Sequence, residues 1–381
     1  MSRSVPLFKI FWDQEDIDRV TAVIKKGGYW AIGPEIAEFE KKVCDYVGVK
    51  HAVAVNSGTS ALHTLMAAHD IGKGDEVIVP ALTFIATANA PLFVGAKPVF
   101  AEIEESTYGL DPKDVEKKIT KNTKAIMPIH YGGLPCRIEE LRQVAREHKV
   151  LLIEDAAGAI GASVNGKKVG SFGESAILSF CAPKVVTTGE GGMMLTNDDH
   201  AWEKAKLIIN QGRDDKGNYF ATDKPGDYVM LGYNFRMSTM TAALGLAQMS
   251  KLDDIIKMRN DSANYMIKEL DGVKQVVFPT VAEGNVHVRQ IHTARIVSGT
   301  KSRDDLCQYL GQQGVASRVY WSPVHLTPFY RREFGYKEGF LPVTEKVASE
   351  VLTFPMYPTL EKADMDYVVQ CIRNFFAKGG K

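Results

Sequence analysis

The strongest constraint on the fold is a repeated pattern of short, continuous apolar runs separated by amphipathic stretches. Ala52-Val-Ala-Val, Val77-Ile-Val, Pro98-Val-Phe, Ala125-Ile-Met, Val150-Leu-Leu-Ile and Ala176-Ile-Leu-Ser-Phe show almost no polar alternation. Between several of them lie helical pieces such as Ala61-Leu-His-Thr-Leu-Met, Pro112-Lys-Asp-Val-Glu-Lys-Lys-Ile and Ile138-Glu-Glu-Leu-Arg-Gln-Val-Ala-Arg-Glu. Strands without alternation are buried on both faces, which calls for a mostly parallel sheet flanked by helices. Ligands of such sheets gather at the carboxyl ends of the strands. The residues just after each run are therefore the candidates for chemistry.

After about residue 245 the pattern changes. Ser250 to Leu270 reads as one long charged helix. Shorter strand-like runs follow, Val286-His-Val and Thr293-Ala-Arg-Ile-Val, with a helix near Arg303 to Gly311. A chain of 381 residues exceeds what one compact core usually holds. The reading is a large α/β domain over 1–245 and a smaller α+β domain over 246–381, with Lys378 to Lys381 as a frayed tail.

Charge and composition exclude several classes. The 46 basic residues balance 46 acidic ones, so there is no electrostatic footprint for a nucleic acid or an anionic membrane. Val77 to Ala96 carries no charge over a membrane-spanning length. Pro80 and Pro91 interrupt it, and Thr83, Thr87 and Asn89 are polar, so a buried strand, a turn and a helix explain it better. The start of the chain lacks the features of a signal peptide. Cys44, Cys136, Cys181, Cys307 and Cys371 form no CxxC pair and no zinc spacing. That set fits a reducing cytosol and points to no metal site.

Three strand ends carry candidate chemistry. Asn56-Ser57-Gly58-Thr59-Ser60 lies between a strand and a helix, where free amides, hydroxyls and a Gly make an anion site suited to a phosphate. An ordinary N-cap explains the same residues, and the segment alone leaves both readings open. Asp155 stands at the end of Val150-Leu-Leu-Ile, placed either to face a flat ligand or to cap a turn. Lys184, in Ser179-Phe-Cys-Ala-Pro-Lys-Val-Val-Thr-Thr-Gly-Glu-Gly-Gly, follows a buried strand among apolar neighbours. A half-buried lysine loses part of its proton affinity, as an amine nucleophile requires. An acid, a hydroxyl at Ser179, an amine and a phosphate cradle at one sheet edge meet the needs of pyridoxal 5′-phosphate.

The sequence resembles the fold-type-I, pyridoxal 5′-phosphate-dependent sugar aminotransferases of the DegT/DnrJ/EryC1/StrS family from about Pro6 to Phe376. The carriers are Gly28-Tyr-Trp-Ala-Ile-Gly-Pro, Asn56-Ser-Gly-Thr-Ser-Ala-Leu, Pro80-Ala-Leu-Thr-Phe-Ile-Ala-Thr-Ala-Asn-Ala, Glu154-Asp-Ala-Ala, Lys184-Val-Val-Thr-Thr-Gly-Glu-Gly-Gly-Met, Gly232-Tyr-Asn-Phe-Arg-Met and Pro323-Val-His-Leu-Thr-Pro-Phe-Tyr. The resemblance is nearest to the 4-amino-sugar branch that includes perosamine synthases. It implies that Lys184 is the Schiff-base lysine and Asp155 the partner of the ring nitrogen. Phe84 would stack on the ring, and Ser57, Gly58, Thr59 and Ser179 would hold the phosphate. Asn234 would reach the phosphate of a neighbouring subunit, making the active unit a homodimer with shared sites. Arg236, Arg318 and His325 would contact the substrate, or else serve in local ion pairs and loop packing.

The activity so implied is amination of a nucleotide-linked 4-keto-6-deoxy sugar in the cytoplasm. Glutamate is the donor, 2-oxoglutarate the product, and pyridoxamine 5′-phosphate the form of the cofactor between half-reactions. Lys184 would need a depressed pKa to act as the base. Alternatives are another keto substrate (a 3-keto sugar, an octulosonate or an aminocyclitol precursor) and a cofactor-binding regulator without turnover. The sequence departs from the family pattern twice. Gly158 stands where relatives usually carry Gln or Glu, and Cys181-Ala-Pro differs from the commoner residues before the lysine.

Overall fold

A computed structural model describes residues 3–214 and 226–377. The expected tail at Lys378–Lys381 lies outside the described residues. A seven-stranded sheet forms the centre, in the spatial order His51–Val55, Gly192–Thr196, Ser175–Ser179, Leu151–Asp155, Thr123–Ile126, Glu76–Pro80, Lys97–Ala101. All neighbours from Ser175–Ser179 to Lys97–Ala101 pair in parallel. Gly192–Thr196 alone runs against the rest, pairing antiparallel with both of its neighbours. The sheet is thus mostly parallel, as its unalternated runs require.

Both faces are apolar. Ala54, Ile78, Ile126, Leu152 and Leu178 point into one core, and Val53, Val79, Ile153, Ile177 and Met194 into the other. Successive strand residues face opposite sides, so a run of aliphatic residues feeds both cores at once. The uncharged stretch 77–96 resolves into strand Glu76–Pro80 and helix Ile85–Phe93. Among the described residues no helix is long and apolar enough to cross a membrane.

A separate core surrounds the antiparallel sheet Val276–Val277, His292–Ile296, Val351–Phe354, covered by helices Thr300–Gln312 and Lys362–Ala377. The division expected near residue 245 falls inside helix Thr239–Ser250, whose Ala242, Leu246 and Met249 belong to the large core. The next helix, Leu252–Glu269, spans both cores. Leu252, Ile255 and Ile256 pack in the first, and Ala263 and Met266 in the second. Surface charge rises at residue 250 while the buried face of the chain passes from one core to the next. The two units also exchange chain: Val5 lies in the small core, whereas Val324, Tyr330 and Leu341 return to the large one.

Candidate active site

Because the parallel strands end on one edge, the loops leaving them converge there. Strand His51–Val55 leads through Asn56 into helix Gly58–Ala68, with Ser57 as N-cap. The Ser57 hydroxyl accepts from the Ser60 amide at 3.1 Å, so the capping role is real. The preceding amides, those of Gly58 and Thr59, belong to the unpaired first turn and remain available for an anion. Gly58 is required there. A Cβ on it would stand 2.9 Å from Ser179 Cβ, so only glycine lets the helix start meet the end of strand Ser175–Ser179.

Strand Leu151–Asp155 presents two acids with opposite surroundings. Glu154 turns into the core, where His130 Nε2 donates at 3.0 Å and the amides of Gly170, Phe172 and Gly173 donate at 2.7–2.9 Å. Burial alone would raise its carboxyl, but these donors outweigh burial and hold it below the ordinary range. Asp155 turns to the cavity and is 3% exposed. Its Oδ2 accepts from Thr87 Oγ1 at 2.7 Å and its Oδ1 from the Ala157 amide at 3.1 Å. Thr83 supports Thr87 through a hydroxyl contact of 2.6 Å. Burial pushes the Asp155 carboxyl up, and the two donors together with the charge of Lys184 offset only part of that push. A buried carboxyl with few donors is a natural partner for a ligand cation.

Lys184 sits on the loop joining strands Ser175–Ser179 and Gly192–Thr196, in a turn closed by its amide on Cys181 O at 3.0 Å. Thr188 N and Thr187 Oγ1 both bond Phe180 O, and Phe180 N bonds Gly191 O, which ties the base of the loop. Lys184 and Asp155 line one cavity of about 680 Å³. Ser57, Gly58, Thr59 and Ser179 line it too, as do Phe84 and Arg318. Phe84 leaves 54% of its surface open, an aromatic ring facing this cavity with Trp321 tilted 6.4 Å away. An amine, an underdonated carboxyl, a helix start and an exposed ring suit a flat, anionic, cationic-ring cofactor. Pyridoxal 5′-phosphate fits this set.

Three of the expected residues do not line this cavity, among them Asn234, which the resemblance assigns to a partner's site. His325 is fully buried, with Nε2 3.1 Å from Glu345 Oε1 and with Phe100, Tyr336 and Phe340 around its ring. It does not line the cavity. The loop Pro323-Val-His turns it inward, away from the cavity and into local packing. Arg236 lines a second cavity of about 620 Å³, beside Glu40 and Lys206, and donates to Asn210 Oδ1 at 2.7 Å. Asn234 lies outside the first cavity as well; its carbonyl accepts from Asn56 Nδ2 at 3.3 Å. Sequence reasoning missed Thr87, His130, Gln290, Tyr320 and Trp321 among the lining residues. Thr87 stands in a quoted motif, in the first turn of the helix that Phe84 caps, and that spacing is the signal that would have found it. Gln290, Tyr320 and Trp321 come from segments without strand-end placement.

Comparison with known proteins agrees with this geometry. The model of the DegT/DnrJ/EryC1/StrS aminotransferase family matches residues 11–373. The chain belongs to this family. It is a pyridoxal phosphate-dependent aminotransferase. The chain is 40% identical to the GDP-perosamine synthase of Caulobacter vibrioides, over 90% of each chain. It is 37% identical to a protein of Geobacillus stearothermophilus called a pleiotropic regulatory protein, over 95% of this chain and 94% of that one. The crystal structure of S. venezuelae DesV, in complex with a ketimine intermediate, superposes with a TM-score of 0.89 at 32% identity, over 98% of each chain.

Proposed function

We propose that this aminotransferase converts a nucleotide-linked 4-keto-6-deoxy sugar into an amino sugar, with glutamate as donor. The observation that carries the reading is the shared cavity, in which Lys184, Asp155 and the Ser57–Thr59 helix start surround one volume. When bound there, pyridoxal phosphate supplies the electron sink for cleavage of an amino acid's Cα–H bond.

The chain's own groups do the rest. Asp155, backed by Thr87 and the Ala157 amide, would pair with a ring nitrogen in its cationic form. The Gly58 and Thr59 amides with the Ser179 hydroxyl would hold the phosphate end, and Phe84 would cover one face and exclude water from it. Lys184 Nζ would anchor the cofactor and, once free, would be the base that takes up and gives back the proton at the donor's Cα. The same amine would serve in the second half-reaction. The choice of a nucleotide sugar is supported by the likeness to the GDP-perosamine synthase.

A homodimer sharing its sites fits the surface. Tyr29, Trp30, Tyr228, Val229 and Leu231 are exposed, and Ile32 and Val229 of the same two segments flank the second cavity. Clustered exposed apolar groups of this size mark an association surface. Asn234 follows directly on that segment, where it would face a partner's phosphate site. The five cysteines are free, in keeping with a reducing cytosol.

The test is a panel of GDP-, UDP- and dTDP-linked keto sugars with glutamate. Lys184→Ala should abolish turnover and the near-visible absorbance of the holo-protein, and full activity in that variant would end the proposal. The Geobacillus relative's regulatory name supports a second reading, a regulator that binds cofactor without turnover. Failure of the pyridoxamine form to aminate any sugar in a single turnover would favour it.

A further inference from the structure

The two departures from the family pattern meet at one side chain. Gly158 and Pro183 both line the cavity, and Gln290 lies between them. The Gln290 amide nitrogen donates to Pro183 O at 3.0 Å, one residue before Lys184. A Cβ added to Gly158 would stand 3.0 Å from Gln290 Oε1, so the volume that a side chain at 158 would use is filled from another part of the chain.

Gln290 is held firmly from behind. The amides of Val288 and Ile291 bond the carbonyls of Gly133 and Gly132, and Arg259 donates to the carbonyls of Arg289 and Gln290. The residue is only 8% exposed, yet Oε1 has no hydrogen-bond partner among the described residues and is not sealed from the cavity. An acceptor that is fixed, unpaired and aimed into a binding cavity is a ligand contact in waiting.

We propose that Gln290 is a positioning and specificity residue of this site. Its amide nitrogen braces the carbonyl of Pro183, and with it the loop that carries Lys184. Its Oε1, which occupies the volume a side chain at 158 would use, accepts a hydrogen bond from an O–H or N–H of the bound ligand. The brace stands on the cavity alone. The identity of the ligand as a nucleotide sugar rests on the function proposed above.

The test is a double-mutant cycle of Gly158→Ala and Gln290→Ala, with Gln290→Met as a third variant that keeps the volume and loses both polar atoms. Two readouts are taken: affinity of the cofactor-free protein for pyridoxal phosphate, with the pH midpoint of its near-visible band, and KM against kcat for the sugar. Gln290→Ala and Gln290→Met should each weaken cofactor affinity about 3- to 10-fold, shift the band midpoint and raise KM, as expected for one lost uncharged hydrogen bond. Gly158→Ala should cost part of this in the wild-type background, because its Cβ displaces Oε1, and nothing in the Gln290→Ala background. Wild-type affinity and band in Gln290→Met, or losses at 158 and 290 that multiply independently, would overturn the proposal. If the alanine variant does not fold, the methionine variant decides. A wild-type protein that shows the band but aminates no nucleotide sugar would refute the substrate reading and leave the band and affinity measurements to judge Gln290.

Discussion

Thr87→Val is the substitution that most directly probes how the site holds its charge. Valine matches threonine in shape, so packing is retained and one hydroxyl is lost. That hydroxyl is one of two donors to a carboxyl buried at 3% exposure, at 2.7 Å from Oδ2. Only the Ala157 amide, at 3.1 Å from Oδ1, remains. A hydrogen bond to a charged group contributes about 1.5–3 kcal/mol, which corresponds to roughly one to two pKa units. Burial already pushes the Asp155 carboxyl up, and the loss moves it further in the same direction.

The sign of the pH effect follows. The anion is the form that pairs with a ring cation, so raising the pKa depletes that form on the acid side. Cofactor affinity should fall about 10- to 100-fold at the acid end of the working range, the span of one charge-assisted hydrogen bond. The deficit should shrink as pH rises and the carboxyl ionises anyway. Spectrophotometric titration of the cofactor-free protein across pH measures this directly. Thr83→Val is the control: Thr83 touches Thr87 but not Asp155, so it should cost stability and move the acid limb less. An unchanged acid limb in Thr87→Val would refute the argument that this hydroxyl sets the carboxyl's ionisation.

The remaining expectations concern residues outside that chain of bonds. His292 stacks on Phe278 at 4.7 Å with neither ring nitrogen paired among the described residues, and burial pushes its pKa down to about 3. Its folded pKa lies below the unfolded one, so stability is intact above about pH 6.5 and is lost as pH falls toward 3, by about 1.4 kcal/mol per unit. His292→Leu should therefore lose about 2 kcal/mol less than wild type between pH 7 and pH 5 in urea titrations, and parallel losses would refute the assignment. Arg318 lines the cavity with its guanidinium against the Tyr320 ring, so Arg318→Ala should raise KM for the sugar about tenfold or more with the melting temperature little changed. His325→Ala should do the reverse, lowering stability by about 2–4 kcal/mol and leaving KM alone; a raised KM without loss of stability would restore His325 to the site.

The legible part of this fold is the part where one residue decides one thing. Uninterrupted aliphatic runs demand two cores, so the parallel strands could be placed, and the ends of those strands named Ser57, Asp155, Ser179 and Lys184 for one cavity. The pair Glu154–Asp155 shows the limit. Both acids look alike in sequence, and only the alternation of the strand sends one to a nest of amides and the other to the cavity. His325 shows a related limit: its segment approaches the cavity, but the 3-10 turn Val324–Leu326 rotates the imidazole into an aromatic cluster.

What could not be read is what arrives from far along the chain. Gln290, Tyr320 and Trp321 reach the cavity because the small unit's strands anchor segments that fold back over the large sheet's edge. No local periodicity encodes such an approach; it depends on how two cores dock. Gly158 makes the consequence concrete. Taken by itself it is a missing contact and a reason to doubt activity. Taken with Gln290, whose Oε1 lies 3.0 Å from the place its Cβ would occupy, it is a space that another side chain already fills. A side chain absent from a motif is therefore weak evidence of lost function until the volume it would have filled has been examined.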